Sequence, residues 1–404
     1  MMDGFFSKKE VESKSRPDGK LYTCISCGLY KNCDNPRFKP FGKFKKGILN
    51  VGGPVTKYED QKGKPWIGSA GKLLEKTYQK FGIDLYEDCL NVHSISCYAP
   101  DSKIDLAYQV PCCRNRVVQT ISEHQPKIIV LFGAQAISSV IGSQWSKDLN
   151  DVDRWRGWQI PIKDFKAWVC PVFHPSKMEE ATKEMKTIWE QDIEQISKHV
   201  DIPFPRYKEP HIEYIEDLSV LDDIDVTLSA FDYETTGIKP HAKGHRIICA
   251  SVSTGPDFAY SFLMPKTRKE RAPFLRYLAN SKIGKMAHNM KYEETWSVVR
   301  LNQPINNWAW DSMIAAHILD NRPGITGLKF QAFVNFGITE YTSEVDAYFK
   351  SGKKDGNALN EIEKMLETEE GIRQLLLYCG RDSAYEHLLA LKQIDLIDYD
   401  FLPF

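Results

Sequence analysis

Three short acidic segments carry side chains that could do chemistry together. Asp232 and Glu234 form a D-x-E in FDYETTG, at the end of an apolar run. Alternate residues of a strand face the same side, so both carboxylates project together. Two like charges this close are costly unless a cation lies between them. Downstream, AHNMKYEE supplies Asn289, Lys291 and Glu293, and YCGRD supplies Tyr378 and Asp382. Tyr378 and Asp382 are four apart, on one helical face a turn apart. Taken singly, the D-x-E reads as a strand entering a solvated turn, Tyr378 as a packing residue and Asp382 as a solvated charge. Three such segments in order suit hard divalent cations, which take carboxylate oxygens. A second group is built on sulfur. Cys24-x-x-Cys27 has metal-type spacing, and Cys97 and Cys113 lie downstream. Zinc, an iron–sulfur cluster and plain buried thiols are the generic readings, and C-x-x-C alone favours zinc.

The elements that must position these residues are legible in the pattern. Thr227–Asp232 reads as a strand, followed by strands at Arg246–Ser253 and Phe258–Leu263 around the Gly255–Pro256 turn. Ile283–His288 reads as a short strand, Asn289–Arg300 as a helix, Asp311–Leu319 as a helix capped by Asp, and Ile372–Gln393 as a long amphipathic helix. Acidic groups at element ends in this order imply an α/β domain with a mixed sheet. Upstream, Lys127–Gly133 reads as a buried strand and AQAISSVIG as the helix after it. Ile48–Val51 reads as a strand running into a GGP loop, at the strand end where α/β sites sit.

FDYETTG, NMKYE and YCGRD resemble the three exonuclease motifs of DEDD-superfamily 3′–5′ exonucleases, in the tyrosine variant found in proofreading domains of family A DNA polymerases. DSMIAAHILD (311–320), followed by Gly327-Leu328-Lys329, is similar to that family too. The resemblance covers roughly residues 212–395. It implies a ribonuclease H-like fold, Asp232, Glu234, Glu293 and Asp382 as ligands of two Mg²⁺ or Mn²⁺ ions, and Tyr378 as the group orienting the attacking water. Glu293 stands where the family usually has Asp. Two ions about 4 Å apart would supply the nucleophilic water and stabilise the leaving oxygen of a phosphodiester. The implied substrate is a DNA 3′ end, single-stranded or frayed. Lys291 and Arg381 are the nearby cations for its phosphates.

The N-terminal half resembles the iron–sulfur uracil-DNA glycosylases of family 4, over roughly residues 20–195. GKPWIGSAGKLL (63–74), NVHSISC (91–97), PKIIVLFGAQA (126–136) and FHPS (173–176) carry the resemblance. It implies a three-layer α/β domain with Cys24, Cys27, Cys97 and Cys113 on a 4Fe–4S cluster. Cys112 is the rival for the last place, and Cys33, Cys89 and Cys170 are plain thiols. It also implies a base pocket in which Trp66 stacks on a flipped base, Asn91 reads its edge and His174 stabilises the leaving anion. Their plain alternatives are a loop-edge Trp, a strand-capping Asn and a packed His. The family's first motif, roughly GEAPGxxED, becomes GGPVTKYED (52–60) here, with Gly53 in place of the Glu and Val55-Thr56 in place of Pro-Gly. The lost carboxylate predicts weak or absent uracil excision. RFKPFGKFKK (37–46) interleaves five basic residues with Phe38, Phe41 and Phe44. It suits phosphates and unpaired bases, or equally a solvated loop around an apolar anchor.

Composition sets the frame. Of 404 residues, 26% are charged and 42% hydrophobic, the mix of a folded soluble chain and not of a disordered or fibrous one. No apolar run reaches membrane-span length, and residues 1–20 lack a signal-peptide core, so a cytoplasmic protein (of the host cell, if viral) is expected. The net charge of −1 hides an asymmetry: residues 1–200 carry 30 basic and 24 acidic groups, the rest 23 and 30. Eight of ten cysteines lie in the first half, which in a reducing compartment points to a metal before disulfides. The Pro-rich stretch HVDIPFPRYKEPHI has no period and reads as a linker. The expected organisation is a glycosylase-like domain at 1–198, a linker at 199–211 and an exonuclease domain at 212–404. This order resembles the amino-terminal part of family A polymerases of some large bacteriophages. The sequence ends at Asp400–Phe404 before any polymerase domain, which leaves two readings open: a split gene product with a separately encoded polymerase as partner, or a piece of a longer chain. The rival readings are a uracil-repair glycosylase with an accessory exonuclease and a non-catalytic DNA-binding scaffold.

Overall fold

The structure is a computed structural model that describes residues 22–98, 106–206, 208–339, 341, 344–350 and 357–397. The expectations about residues 1–20 and about Asp400–Phe404 lie outside the described residues. The chain divides into two compact units. One runs to Pro205, with Val334–Gly337 counted to it, and the other takes the rest from Arg206. Among the described residues, no helix is long and apolar enough to cross a membrane.

The first unit is a three-layer α/β domain. Its sheet is built from β1 (Ile48–Pro54), β2 (Cys89–Ile95), β3 (Ile128–Phe132), β4 (Ile160–Ile162) and β5 (Ala167–Val172), in the order β2-β1-β3-β5-β4. All pairs are parallel except β4 with β5. Strands buried on both faces read as continuous apolar runs, and IIVLF of β3 is fully buried. Trp189 and Ile193 of the helix Lys183–His199 pack on Ile48, Val130 and Phe132. Burial of such a side chain contributes roughly 1.5–3 kcal/mol. The GGP segment is not a loop. β1 runs through it, with Gly52 paired to His93 and Pro54 to Ile95. A Cβ on Gly52 would come 2.9 Å from the Trp66 ring, so glycine is what lets the strand pass beneath that indole.

The second unit has a six-stranded sheet of β6 (His211–Tyr214), β7 (Leu228–Thr235), β8 (Ile247–Gly255), β9 (Phe258–Leu263), β10 (Gly284–Ala287) and β11 (Trp308–Asp311). The order is β11-β10-β7-β8-β9-β6. β7, β8 and β9 form an antiparallel meander, and β10 and β11 continue in parallel on the other side of β7. This is the ribonuclease H-like arrangement that the motifs imply. β7 runs to Thr235, so the D-x-E lies inside the strand and not beyond its end. The helix after β10 spans Met290–Trp296 and passes into a π-type turn at Ser297–Leu301. The helix Glu369–Leu396 lies on the sheet, where the Ser251 hydroxyl donates to the Cys379 carbonyl at 2.7 Å. Phe231, Val252, Phe262 and Trp296 form the core beneath.

Candidate functional site

β7 presents Asp232 and Glu234 on one face, and the long helix lays Cys379 against them. An oxygen of each carboxylate and the Cys379 sulfur lie within 4.8 Å of one another. Tyr378 and Asp382 descend from the same helix, with Asp382 5% exposed. Glu293 comes from the helix Met290–Trp296 and is 2% exposed, and its Oε2 has no hydrogen-bond partner among the described residues. Burial pushes the Asp232 carboxyl far up, and the charge of Asp382 pushes it further. Burial and then Asp232 do the same to Glu234 and to Glu293. The Tyr378 phenol is raised by burial and by Asp382. Buried carboxylates that repel one another, one with an orphaned oxygen, are a donor set that fits divalent cations.

Sequence reasoning missed Lys329 and Tyr341 at this site, and of Asp311 it read the helix cap but not the grip on Asn289 and Met290. The Lys329 ammonium lies 3.2 Å from Asp382 Oδ2 and also donates to the Tyr378 hydroxyl. The Tyr341 hydroxyl donates to Asp382 Oδ1. Asp311 is a bracket: its carboxylate accepts from the backbone N–H of Asn289, Met290, Met313 and Ile314, at 2.9–3.2 Å. Asn289 holds a left-handed conformation there, φ 78°, which Asn tolerates better than most residues, and the helix bearing Glu293 starts after it. Lys329 lay in the Gly-Leu-Lys segment but carried no signal of its role, and Tyr341 carried none. Of the two cations expected to meet phosphates, Lys291 is exposed, while Arg381 faces Glu209 at 3.7 Å.

In the first unit, Gly53, Trp66, His93, Gln135, His174 and Ser176 are among the residues lining a cavity of about 580 Å³ at the carboxyl ends of the strands. Trp66 is 5% exposed, with its ring 5.6 Å from that of His174 and 5.2 Å from that of Phe132. Its backbone N–H donates to Glu59 Oε1 at 2.6 Å. Glu59 Oε2 closes a capping box with Thr56, so this carboxylate holds the loop, while its Oε1 also lies 3.6 Å from His93 Nε2. His174 Nδ1 accepts from the Ser176 N–H at 3.2 Å, which leaves the proton on Nε2. Burial, and then His93, lowers this imidazole to about 4, so it is neutral at pH 7. A Cβ on Gly53 would sit 3.9 Å from His174 Nε2, so the position facing that nitrogen carries no side chain.

Asn91 does not reach this cavity. Its amide donates to the Phe41 and Leu85 carbonyls at 3.1 and 2.9 Å, and its oxygen accepts from Asn50 at 2.9 Å. It lies mid-strand, one residue pair behind the carboxyl edge where α/β ligands bind. His93, two residues on, lines the cavity instead, with Nδ1 donating to the Gly53 carbonyl at 3.1 Å.

Cys24 and Cys27 sit on a one-turn helix capped by Thr23, and Cys97, Cys112 and Cys113 are buried nearby. The Cys27 thiol, raised mainly by burial, also feels Cys97 and Cys24, and hydrogen-bonds Cys112. Cys113 is pushed up to about 12, mainly by burial, and feels Cys27, Cys97 and Cys24. The Arg37 N–H donates to Cys97 Sγ at 3.3 Å. Cys33, read as a plain thiol, is hydrogen-bonded to Cys97. Cys89 and Cys170 are core thiols. The basic aromatic stretch is largely committed internally. Phe38 packs edge-on to His93, Phe41 to Tyr86 and Phe44 to His124, while Lys43 and Lys45 pair with Glu87 and Lys46 with Asp88. The apolar-anchor reading is the one this geometry favours.

Comparison with known proteins places the first unit. Residues 40–193 match the family described as the uracil DNA glycosylase superfamily. The chain is 27% identical over 182 residues to a type-4 uracil-DNA glycosylase of Thermotoga maritima, covering 45% of this chain and 91% of that one. To the type-4 uracil-DNA glycosylase of Pyrobaculum aerophilum it is 26% identical over 159 residues, covering 37% and 80%. Among solved structures it is similar to Brucella melitensis NrnC, at 18% identity and a TM-score of 0.34, over 46% of this chain and 80% of that one. The first unit therefore carries a domain of the uracil DNA glycosylase superfamily.

Proposed function

We propose that the protein is a metal-dependent 3′–5′ DNA exonuclease of proofreading type. The observation that carries this is the gathering of Asp232, Glu234, Glu293 and Asp382 from three separated segments into one buried site beside Tyr378. All four carboxylates would hold a pair of Mg²⁺ or Mn²⁺ ions. Bound there, the ions would supply a nucleophilic water and stabilise the leaving oxygen. The chain's own part is positioning. The Tyr378 hydroxyl accepts from Lys329, which leaves its proton free to hold a water in line. Asp311 fixes the helix that brings Glu293 in. Digestion of a 5′-labelled single strand with Mn²⁺ should give a ladder shortening from the 3′ end. Internal cuts with no ladder would refute the exonuclease reading, and no cleavage at all would favour the non-catalytic scaffold.

The glycosylase-like unit is read as a DNA-binding module with little or no uracil excision. Trp66 and a neutral His174 with a proton on Nε2 remain, suited to stacking and to stabilising a leaving anion. The carboxylate is missing at Gly53, and Glu59 is committed to its capping box. Excision of uracil from a single strand at ordinary glycosylase rates would reverse this and favour the repair reading. Cys24, Cys27, Cys97 and Cys113, thiols that feel one another's charge, are the soft donor set that a 4Fe–4S cluster takes, as the resemblance implies. The resemblance in domain order supports a replicative role in the cytoplasm together with a polymerase. Failure of the purified chain to raise the fidelity of any such polymerase would count against it.

A further inference from the structure

The acidic site is not evenly open. Asp232 and Glu234 face each other beside the Cys379 thiol and feel the Lys329 charge from a distance, and Glu293 Oε2 is orphaned. Asp382, by contrast, has both oxygens engaged, Oδ1 by the Tyr341 hydroxyl and Oδ2 by Lys329 at 3.2 Å. Lys329 stands on the helix Leu328–Phe336 and reaches the site by its flexible four-carbon stem. Its ammonium also lies 4.5 Å from the ring centre of Tyr378 and 5.6 Å from that of Tyr341. Aromatic faces attract an ammonium, so they offer it a resting place when it leaves the carboxylate.

We infer that Lys329 is a built-in cation that holds, on Asp382, the place of the second divalent ion, so that the site loads its two ions unequally. This rests on the metal-site reading above. The first ion enters at Asp232, Glu234 and Glu293, where it need not break the contact between Lys329 and Asp382. The second must displace the Lys329 ammonium from Asp382, and the displaced charge stays within the site. Filling the Asp382 position and holding Lys329 there exclude one another, and the coupling weakens the second ion. Couplings of this kind are typically worth 5–150-fold in affinity. Lys329 is a positioning residue here, acting through Asp382. The lysine also keeps the metal-free site from leaving its carboxylates unneutralised.

The test is a Mn²⁺ titration of the full chain by calorimetry, with Asp232→Ala as the blank for binding elsewhere. Wild type should show a tight and a weak site. In Lys329→Met the weak site should tighten about tenfold, and Lys329→Arg, which keeps the charge, should titrate like wild type. In chelator Lys329→Met should melt below wild type, and saturating Mn²⁺ should close the gap. A Lys329→Met isotherm that superimposes on the wild-type one overturns the inference and leaves the metal site standing. A Lys329→Met chain that folds neither with nor without Mn²⁺ overturns it too, since the lysine would then serve packing. Wild type that binds no more Mn²⁺ than Asp232→Ala removes the metal-site reading itself.

Discussion

Asp232→Asn should separate stability from activity. An oxygen of Asp232 and one of Glu234 lie within 4.8 Å of each other. At that distance and an effective dielectric of about 20, two full charges repel by roughly 3 kcal/mol. Part of this is relieved in the metal-free protein by proton uptake, because burial and the neighbouring charges push both carboxyls up. The amide keeps the shape and removes the charge, so the second unit should gain about 1–2 kcal/mol in chelator. For a unit of this size that is a rise of roughly 2–8 °C in its melting transition. In Mg²⁺ the order reverses. Wild type at a hundred times its dissociation constant gains about 2.7 kcal/mol from the ion, and the variant gains little. Nuclease activity should fall by orders of magnitude. The assay is scanning calorimetry of both chains in EDTA and in Mg²⁺, beside a nuclease rate. A variant that melts below wild type in EDTA and gains equally from Mg²⁺ would refute the reasoning.

Tyr378→Phe removes a hydroxyl and keeps the ring, so activity should drop by about 10²-fold while Mn²⁺ binding survives; lost binding would show that the phenol serves the ligands and not the water. Cys24→Ala should cost the protein its brown colour and the iron of one 4Fe–4S cluster, and should lower the melting of the first unit while sparing the second; a colourless wild type with zinc would contradict this. Glu386 is pushed up to about 8 from 4.5, mainly by burial. Its folded form keeps the proton that the unfolded chain gives up, so the contribution of Glu386 to stability is full below about 4.5 and is lost as pH rises towards 8. Glu386→Gln should flatten that slope in a melting series from pH 5 to pH 8, and an unchanged slope would show that the burial does not act as described.

The acidic motifs were legible because each is short and local: D-x-E on a strand, Tyr and Asp a turn apart on a helix. What holds them was not. Asp311 binds four backbone N–H groups on two segments more than twenty residues apart, and Lys329 and Tyr341 meet Asp382 from elsewhere in the chain. Such contacts leave no spacing to read. The Asn91 expectation came from motif resemblance, while strand register decides which residue reaches the carboxyl edge, and it selects His93. β6 and β11 escaped notice because both are four-residue edge strands, β6 largely exposed and β11 half-buried, which lack the apolar run of a central strand. Thr56-x-x-Glu59 was readable as a capping box and went unread as such, although it holds Glu59, the carboxylate that lines the cavity among the described residues.

The most direct test of the central claim is the release of nucleoside 5′-monophosphates from a 3′-labelled single DNA strand by the full chain. Wild type with Mg²⁺ or Mn²⁺ should release them one at a time from the 3′ end, and chelator or Asp232→Ala should stop the release. Release that continues unchanged in chelator, or at equal rate in Asp232→Ala, would contradict the account.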